Sequence, residues 1–260
     1  MIVSMDANVA REKNRRPAKE GHNTLYMGLN RYHRTAETVE PDPDAIFPVA
    51  FLVEKDPGGV IHPHFHAVEQ FQVMVGGACK FGQHDIDGVA VHYTGPYSSY
   101  GPVIGTEKGY SFFTLRNGYD QGAQYMPEKR AALREGRQRW QHREAVAEVP
   151  NVMSETELAA LSGTQSETLI AQEPDGVGAW RFRLSPGAAI TGPAPATGGG
   201  QYWLVLSGSL TVTDPTPLSP KSCVFVGPDE AAAQPAAGPQ GAEVLCLQFP
   251  VRPNGGRVTH

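Results

Sequence analysis

The chain has 260 residues, of which 40% are hydrophobic and 19% charged, and its formal net charge is −5 at pH 7. This length suits two globular domains, and the apolar content is sufficient for packed cores. The acidic balance argues against a general nucleic-acid binder, and no apolar run approaches the ~18 residues of a membrane span. We therefore expect a globular protein whose partner is a small molecule, without nucleic-acid or membrane partners.

Three cysteines, Cys79, Cys223 and Cys246, are too few and too scattered for a disulfide framework or a Cys-rich zinc site. The first residues also lack the apolar core that a secretory signal peptide needs. Both observations predict a reduced, cytoplasmic setting.

Residues 1–44 are predicted to form an N-terminal arm. Their first half, MIVSMDANVAREKNRRPAKEGHN, is polar and shows little apolar periodicity. Residues 1–34 carry seven Lys and Arg against three Asp and Glu. This composition predicts a segment that is mobile, or ordered only against a neighbour.

Residues 45–120 have the pattern of a first β-domain. Short apolar and aromatic runs are separated by Gly, Pro, Asn and Asp, without a long helical pattern between them. These runs are AIFPVAFLVE, HPHFHAVEQFQVMV, ACKFGQH, GVAVHY and YSFFTLR. Short strands at this spacing predict an antiparallel sandwich or barrel.

Residues 121–163 are predicted to form a helical connector. The stretch MPEKRAALREGRQRWQHREAVAEV is charged and rich in helix formers, and Pro127 suits a first helical turn. Ser154 and Glu157 have the spacing of a capping box. Residues 164–260 then return to strand-like runs and predict a second β-domain.

An internal repeat links the two β-domains. QFQVMVGG (70–77) aligns with QYWLVLSG (201–208), and each follows a Pro- and Gly-rich approach. The same order of features in two β-blocks is typical of a duplicated domain. A chance similarity of two amphipathic strands is the alternative.

Three histidines, His62, His64 and His66, occur at a spacing of two just before the first of these strands. Residues two apart on a strand point to the same face, so an H-x-H pair delivers two imidazoles to one side. A third ligand from a neighbouring strand would complete a facial metal site with open positions for water and substrate. A polar pocket wall without metal is the alternative.

The stretch GGVIHPHFHAVEQFQVMVGG (58–77) resembles the first motif of the cupins, G-x5-H-x-H-x3/4-E-x6-G. Cupins are small antiparallel β-barrels that often hold a metal at their centre. The resemblance implies an all-β fold with two antiparallel β-barrel, or jelly-roll, domains joined by a short helical connector. It also implies a homodimer, with the first 40 residues as a candidate swapped arm.

Two registers of the motif are open. The first uses His64, His66 and Gln70 and keeps the glycines at both ends, but it places a neutral amide where the family has a carboxylate. The second uses His62, His64 and Glu69, which restores the carboxylate and loses the opening glycine. The resemblance implies a divalent Fe, Mn, Ni or Zn ion, with His64 as a ligand in both registers.

The second cupin motif would fall in GVAVHYTGPYSSYGPVIG, where Ser99 or Tyr100 replaces the expected histidine. Some cupin lyases use tyrosines near the metal as acid or base, so the resemblance makes Tyr100 a candidate catalytic residue. Gln72, His92 and Phe112 are candidates for the substrate pocket.

The second β-domain resembles a cupin that has lost its metal site. The sequence PAP (193–195) stands where H-x-H would fall, and no histidine occurs between residues 150 and 259. We therefore expect residues 164–260 to have a structural role.

Two classes of function follow from these features. As an enzyme, the first barrel would use its metal as a Lewis acid, or as the place where O₂ and a small oxygen-bearing organic substrate meet. Dioxygenase-type chemistry is favoured over an isomerase or lyase. As a non-catalytic bicupin, the chain would hold a small molecule in a pocket of His and Gln side chains. A near-stoichiometric bound metal would favour the enzyme.

Overall fold

The computed structural model describes residues 1–212 and 215–251. The strands in these ranges are β1 (Ile2–Met5), β2 (Arg15–Ala18), β3 (Gly21–Met27), β4 (Val49–Lys55), β5 (Val60–Ile61), β6 (His64–Phe65), β7 (Gln70–Phe81), β8 (His84–Thr94), β9 (Val103–Arg116), β10 (Gln124–Tyr125), β11 (Glu144–Glu148), β12 (Thr164–Ile170), β13 (Gly178–Leu184), β14 (Gln201–Thr211), β15 (Cys223–Val226) and β16 (Ala236–Gln248). The helices are α1 (Ala7–Asn14), α2 (Arg130–Gly136) and α3 (Glu155–Ala159). None of these helices has the length and apolar composition needed to cross a bilayer.

The N-terminal unit of the chain runs from Asn14 to Pro150. Its main sheet has the order β11-β8-β7-β9-β4-β3-β2, and β5 pairs with β9 beside this path. Neighbouring strands are antiparallel. Strands β6 and β10 form a separate two-stranded ladder. The central strands β7 and β9 bury the aromatic and aliphatic side chains of the core, such as Phe71 and Phe113.

The C-terminal unit contains Met1–Lys13 and the chain from Asn151 to the end of the described residues. Its six-stranded sheet has the order β1-β15-β14-β16-β13-β12. Trp203, Val205 and Val244 lie at the centre of its buried apolar cluster.

The predicted N-terminal arm is instead divided between the two units. β1 pairs with β15, with Ile2 opposite Val226, whereas β2 and β3 extend the N-terminal sheet beyond β4. Asp6, just before α1, accepts hydrogen bonds from the hydroxyls of Ser219 and Ser222. Hydrogen bonds to Asp6 therefore help to order the first part of the predicted arm, whereas β3 is held by burial of Tyr26 and Met27.

The predicted helical connector contains less helix than expected. Between the short helices α2 and α3, β11 pairs with β8, with Val146 opposite His92. At the start of α3, the Ser154 hydroxyl accepts from the Glu157 N–H, and the Glu157 carboxylate accepts from the Ser154 N–H. The predicted capping box is confirmed.

The two halves of the internal repeat form β7 and β14, each paired on both sides. Gly77 and Gly208 end the repeat with positive φ angles of 74° and 71°. A Cβ on Gly77 would collide with the carbonyl oxygen of Gly109, and a Cβ on Gly208 with that of Gly241. The same special backbone position in both units supports the duplication.

Alanine at Gly77 or Gly208 is expected to destabilise its own unit by roughly 2–4 kcal/mol, because it adds both backbone strain and a collision. Gly58→Ala is the matched control: its φ is 72°, and no atom lies within 4 Å of the added Cβ. Deuterium pulse labelling across a urea series, followed on peptides of β7 and β14, measures each unfolding free energy. Equal losses for Gly58→Ala and Gly77→Ala would contradict the collision argument.

Candidate functional site

A cavity of about 390 Å³ lies inside the N-terminal unit. Strands β4 and β9 supply much of its apolar wall through Phe51, Val53 and Phe112. The polar groups that line it include His62, His64, His66, Gln72, Tyr100, Thr114, Arg116, Asp120 and Tyr125. Small-molecule sites are concave and combine apolar side chains with convergent polar groups, and this cavity contains both, with polar residues in the majority.

Strand alternation decides which residues of β7 face this cavity. Gln72 lines it, and Gln70 lies on the same face of the strand. Phe71 points the other way and packs on Tyr93, with ring centroids 5.0 Å apart. Glu69 is buried outside the cavity wall. The first motif register would use this face of β7, although Gln70 itself does not line the cavity.

A backbone pair places Tyr100 beside His64. The N–H of each donates to the carbonyl of the other, at 3.2 Å and 3.0 Å, and the two rings lie 4.5 Å apart. The Tyr100 hydroxyl lies 2.8 Å from His64 Nε2 and 2.6 Å from Gln70 Nε2. His64 Nδ1 lies 2.8 Å from the carbonyl oxygen of His62.

The protons in this chain of contacts follow from donor and acceptor chemistry. Because the His62 carbonyl can only accept, His64 carries its proton on Nδ1 and accepts at Nε2. The Tyr100 hydroxyl therefore donates to His64 and accepts from the Gln70 amide. Burial, followed by the neighbouring His66, lowers the pKa of His64 to about 3. Burial also raises the pKa of Tyr100, so the phenol keeps its proton.

Arg116 and Asp120 form the charged part of the network. Arg116 Nε and Nη2 both donate to Gln70 Oε1, at 3.2 Å and 3.0 Å, and Nη1 lies 3.1 Å from Asp120 Oδ2. Nη2 also lies 3.1 Å and 3.3 Å from the two ring nitrogens of His66. Asp120 Oδ2 accepts from His66 Nδ1 at 2.8 Å and from the Gly122 N–H at 2.9 Å.

The charges of this network are fixed by its neighbours. Burial opposes ionisation of Asp120, but Arg116 and His66 outweigh it and hold the pKa of the carboxyl well below its usual range. Burial, followed by the Arg116 charge, lowers the pKa of His66. The centre therefore holds one buried ion pair and two neutral imidazoles at neutral pH.

His92 stands behind the cavity wall rather than in it. Its Nδ1 lies 3.1 Å from Gln72 Oε1, and its Nε2 lies 2.9 Å from Glu144 Oε1. The ring of Tyr100 packs against it at 5.2 Å. His92 thus supports the cavity wall, whereas Gln72 and Phe112, the other predicted pocket residues, line the cavity directly.

Sequence reasoning missed Arg116 and Asp120. Arg116 reaches Gln70 because β7 and β9 are paired, with Phe71 opposite Leu115. One step further along the same antiparallel pair, Gln70 and Arg116 lie side by side. The only local signal is a charged residue that ends the apolar run YSFFTLR. Asp120 lies in the loop that follows, where nothing in the pattern distinguishes it.

The predicted metal ligands are brought together only in part. His64 and His66 have Nδ1 held by an acceptor, an arrangement typical of metal-binding histidines. Gln70 Oε1 and His64 Nε2, however, already accept protons from Arg116 and Tyr100. In the described ranges, no group of three or more His, Cys, Asp and Glu side chains is placed to hold a metal ion. The residues, in this arrangement, do not fit one.

No family model and no curated protein matches the chain. Among solved structures, it is similar to bacterial pirin YhhW from Escherichia coli in complex with nickel(II), with a TM-score of 0.58, 12% identity and coverage of 96% of this chain and 100% of that one. It is also similar to the oxalate decarboxylase of Bacillus subtilis, studied for its Mn(II) centers. The TM-score is 0.56 and the identity 13%, over 97% of this chain and 78% of that one. A third similar structure is an 11S globulin from Wrightia tinctoria with an auxin binding site. Its TM-score is 0.59 and its identity 11%, over 96% of this chain and 84% of that one.

These likenesses concern the fold, since all three identities are low. They cover nearly the whole chain and include two proteins whose structures are described with a divalent transition metal. The predicted all-β architecture is confirmed. The chain has the antiparallel, β-rich jelly-roll fold of the cupins.

Proposed function

We propose that the N-terminal unit binds a small oxygen-bearing organic molecule in its central cavity. The observation that carries this proposal is the cavity itself, whose volume of about 390 Å³ matches a small organic ligand. Phe51, Val53 and Phe112 would pack against the apolar body of the ligand, and the polar groups would orient its oxygen atoms.

Tyr100 is the candidate catalytic residue of this site. Its hydroxyl is buried, and its raised pKa keeps it protonated at neutral pH. Its single proton now lies in the hydrogen bond to His64 Nε2. To act as a hydrogen-bond donor or general acid rather than as a base, the hydroxyl would turn this proton from His64 to a ligand oxygen.

The alternative is the metal-dependent enzyme that the motif resemblance implies, narrowly a dioxygenase and otherwise an isomerase or lyase. The capped Nδ1 atoms of His64 and His66 favour it, with Gln70 and, in the second register, His62 and Glu69 as further ligands. A bound Fe, Mn, Ni or Zn ion would supply Lewis-acid or redox chemistry. This alternative requires Tyr100 and Arg116 to release the acceptors they now occupy.

The setting and the assembly also remain proposals. All three cysteines are free and buried, which supports a reduced, cytoplasmic setting. A homodimer is proposed from the family resemblance, and light scattering on the intact protein tests it.

A cavity-filling variant tests the small-molecule site. Thr114 lines the cavity opposite Gln72 on the paired strand, so Thr114→Phe is expected to fill part of the chamber. Small acids, alcohols and amides screened by thermal shift should include ligands that raise the Tm of the native protein by several degrees. Thr114→Phe should abolish these shifts. Ile104→Phe, on the same strand but 40% exposed, should retain them.

Two results would contradict the proposal. The first is a screen in which no compound stabilises the native protein. The second is a set of thermal shifts that survive in Thr114→Phe unchanged.

A further inference from the structure

We infer, building on the proposed small-molecule site, that the Arg116 guanidinium is the fixed cation of this centre in place of a metal ion. The same geometry points to a small carboxylate as the ligand class. The inference depends on four observations: the occupied acceptors, the buried charge, the equivalent position in the second unit, and the charge of the cavity wall.

The acceptor atoms that a metal would need are already used by protein donors. Gln70 Oε1 accepts two N–H groups from Arg116. His64 Nε2 accepts the Tyr100 hydroxyl, and His66 Nε2 lies 3.3 Å from Arg116 Nη2. The guanidinium and the phenol thus connect the positions that the cupin motif assigns to metal ligands.

Charge also opposes a metal here. Arg116 is buried, with only 6% of its surface exposed, so a divalent ion beside it would meet a like charge with little solvent screening. The Asp120 carboxylate is not available to bind a metal ion and offset this repulsion. Its Oδ2 already forms an ion pair with Arg116 and accepts hydrogen bonds from His66 Nδ1 and the Gly122 N–H. The network already contains a cation and its counter-ion.

The C-terminal unit contains a neutral counterpart of this pair. Gln201 is the repeat equivalent of Gln70, and the matching strand registers place Gln248 where Arg116 stands. Gln201 Nε2 donates to Gln248 Oε1 at 2.8 Å, and both amides are fully buried. A neutral amide therefore suffices to hold this position in the fold, and the charge of Arg116 calls for a role beyond packing.

The cavity wall favours an anion. Within the described ranges, five Lys and Arg side chains line it, and four of them lie beside carboxylates: Lys19 and Lys55 beside Glu20, Arg34 beside Glu40 and Arg116 beside Asp120. Arg31 has no carboxylate partner among the described residues, and its guanidinium donates to the Tyr32 hydroxyl. An uncompensated guanidinium in the wall attracts anions, and a carboxylate is a planar anion that guanidinium groups bind in bidentate geometry. With Phe51 and Phe112 in the wall, a carboxylate on a small apolar body fits the site.

The first test compares carboxylates with their neutral amides by isothermal titration calorimetry. Benzoate and phenylacetate are expected to bind the native protein at least about tenfold more tightly than benzamide and phenylacetamide, a difference of ~1.4 kcal/mol. Arg116→Gln should remove this preference, and Arg116→Lys, which keeps the charge, should retain part of it. The double variant Arg116→Gln with Asp120→Asn removes both charges together and guards against misfolding from an unpaired Asp120.

The second test measures metal. The native protein, purified without an affinity tag and incubated with Ni²⁺, is expected to retain less than about one tenth of an ion per chain after dialysis. Arg116→Gln, which removes the buried cation and keeps the Asp120 carboxylate, should bind Ni²⁺ at least about tenfold more tightly than the native protein.

Each outcome decides a different claim. Near-stoichiometric metal in the native protein that His64→Ala removes would overturn the inference in favour of the metal enzyme. Equal binding of acids and amides would overturn the role of Arg116 and leave the small-molecule site standing. Failure of every acid and amide to bind would overturn both.

Discussion

Replacing Asp120 with Asn is expected to destabilise the N-terminal unit by about 3–5 kcal/mol, because the change leaves the buried Arg116 charge without its counter-ion. Both side chains are nearly inaccessible, at 7% and 2% exposure. Asp120 also holds His66 through Nδ1, so the loss includes a hydrogen bond. Deuterium pulse labelling across a urea series, followed on β7 and β9 peptides, measures the effect in this unit.

A double-mutant cycle separates the ion pair from other effects of the substitution. Arg116→Gln alone should also be costly, and the double variant should lose much less than the sum of the two single losses. Asp87→Asn is the surface control, because Asp87 pairs with Lys108 at 2.7 Å where both are exposed, and its loss should stay below about 1 kcal/mol. Similar losses for Asp120→Asn and Asp87→Asn would show that the buried pair contributes little.

Acidification from pH 7 to pH 5 is expected to weaken the N-terminal unit steeply. Burial lowers the pKa of His64, His66 and His92 below the usual 6.5. In that pH range, the unfolded chain binds protons that the folded chain excludes, so stability falls as the pH decreases below about 6.5. Each such histidine contributes at most about 1.4 kcal/mol per pH unit. Asp120 has little effect in this window, because an unfolded Asp titrates only near pH 3.9.

His92 offers a way to measure one of these contributions. His92→Gln should reduce the slope of unfolding free energy against pH between pH 6.5 and 5, by at most about 1.4 kcal/mol per pH unit, because burial lowers the pKa of His92. Urea unfolding at each pH, followed by deuterium labelling of β7 peptides, gives the slope. If the slope of unfolding free energy against pH were the same in His92→Gln as in the native protein, His92 would be protonated in the folded protein.

Local patterns in the sequence predicted the strand-rich blocks and the capping box at Ser154, which depend on strand alternation, on turn residues and on spacing over a few positions. The position of Tyr100 near the candidate ligands was instead implied by the resemblance to the cupin motifs. β7 directs Gln70 and Gln72 to one face, and the choice between the two motif registers stays a prediction.

The charged half of the site could not be predicted in this way. Arg116 and Gln70 lie 46 residues apart and meet only because β7 and β9 pair. The cupin motif directs attention to histidines and carboxylates, and a guanidinium lies outside it. The order of the first residues was missed for a related reason, because Asp6 bonds to Ser219 and Ser222, far away in the sequence.

The pairing of β1 with β15 also sets an order for folding during synthesis. Met5 pairs with Cys223, so the early strand emerges from the ribosome more than 200 residues before its partner. At ~5–20 residues per second this delay is roughly 10–45 s. The N-terminal unit, in contrast, has all of its described strands once β11 has been made. We expect β1 to remain without its partner while this first barrel folds, which makes it a natural segment for a chaperone to protect.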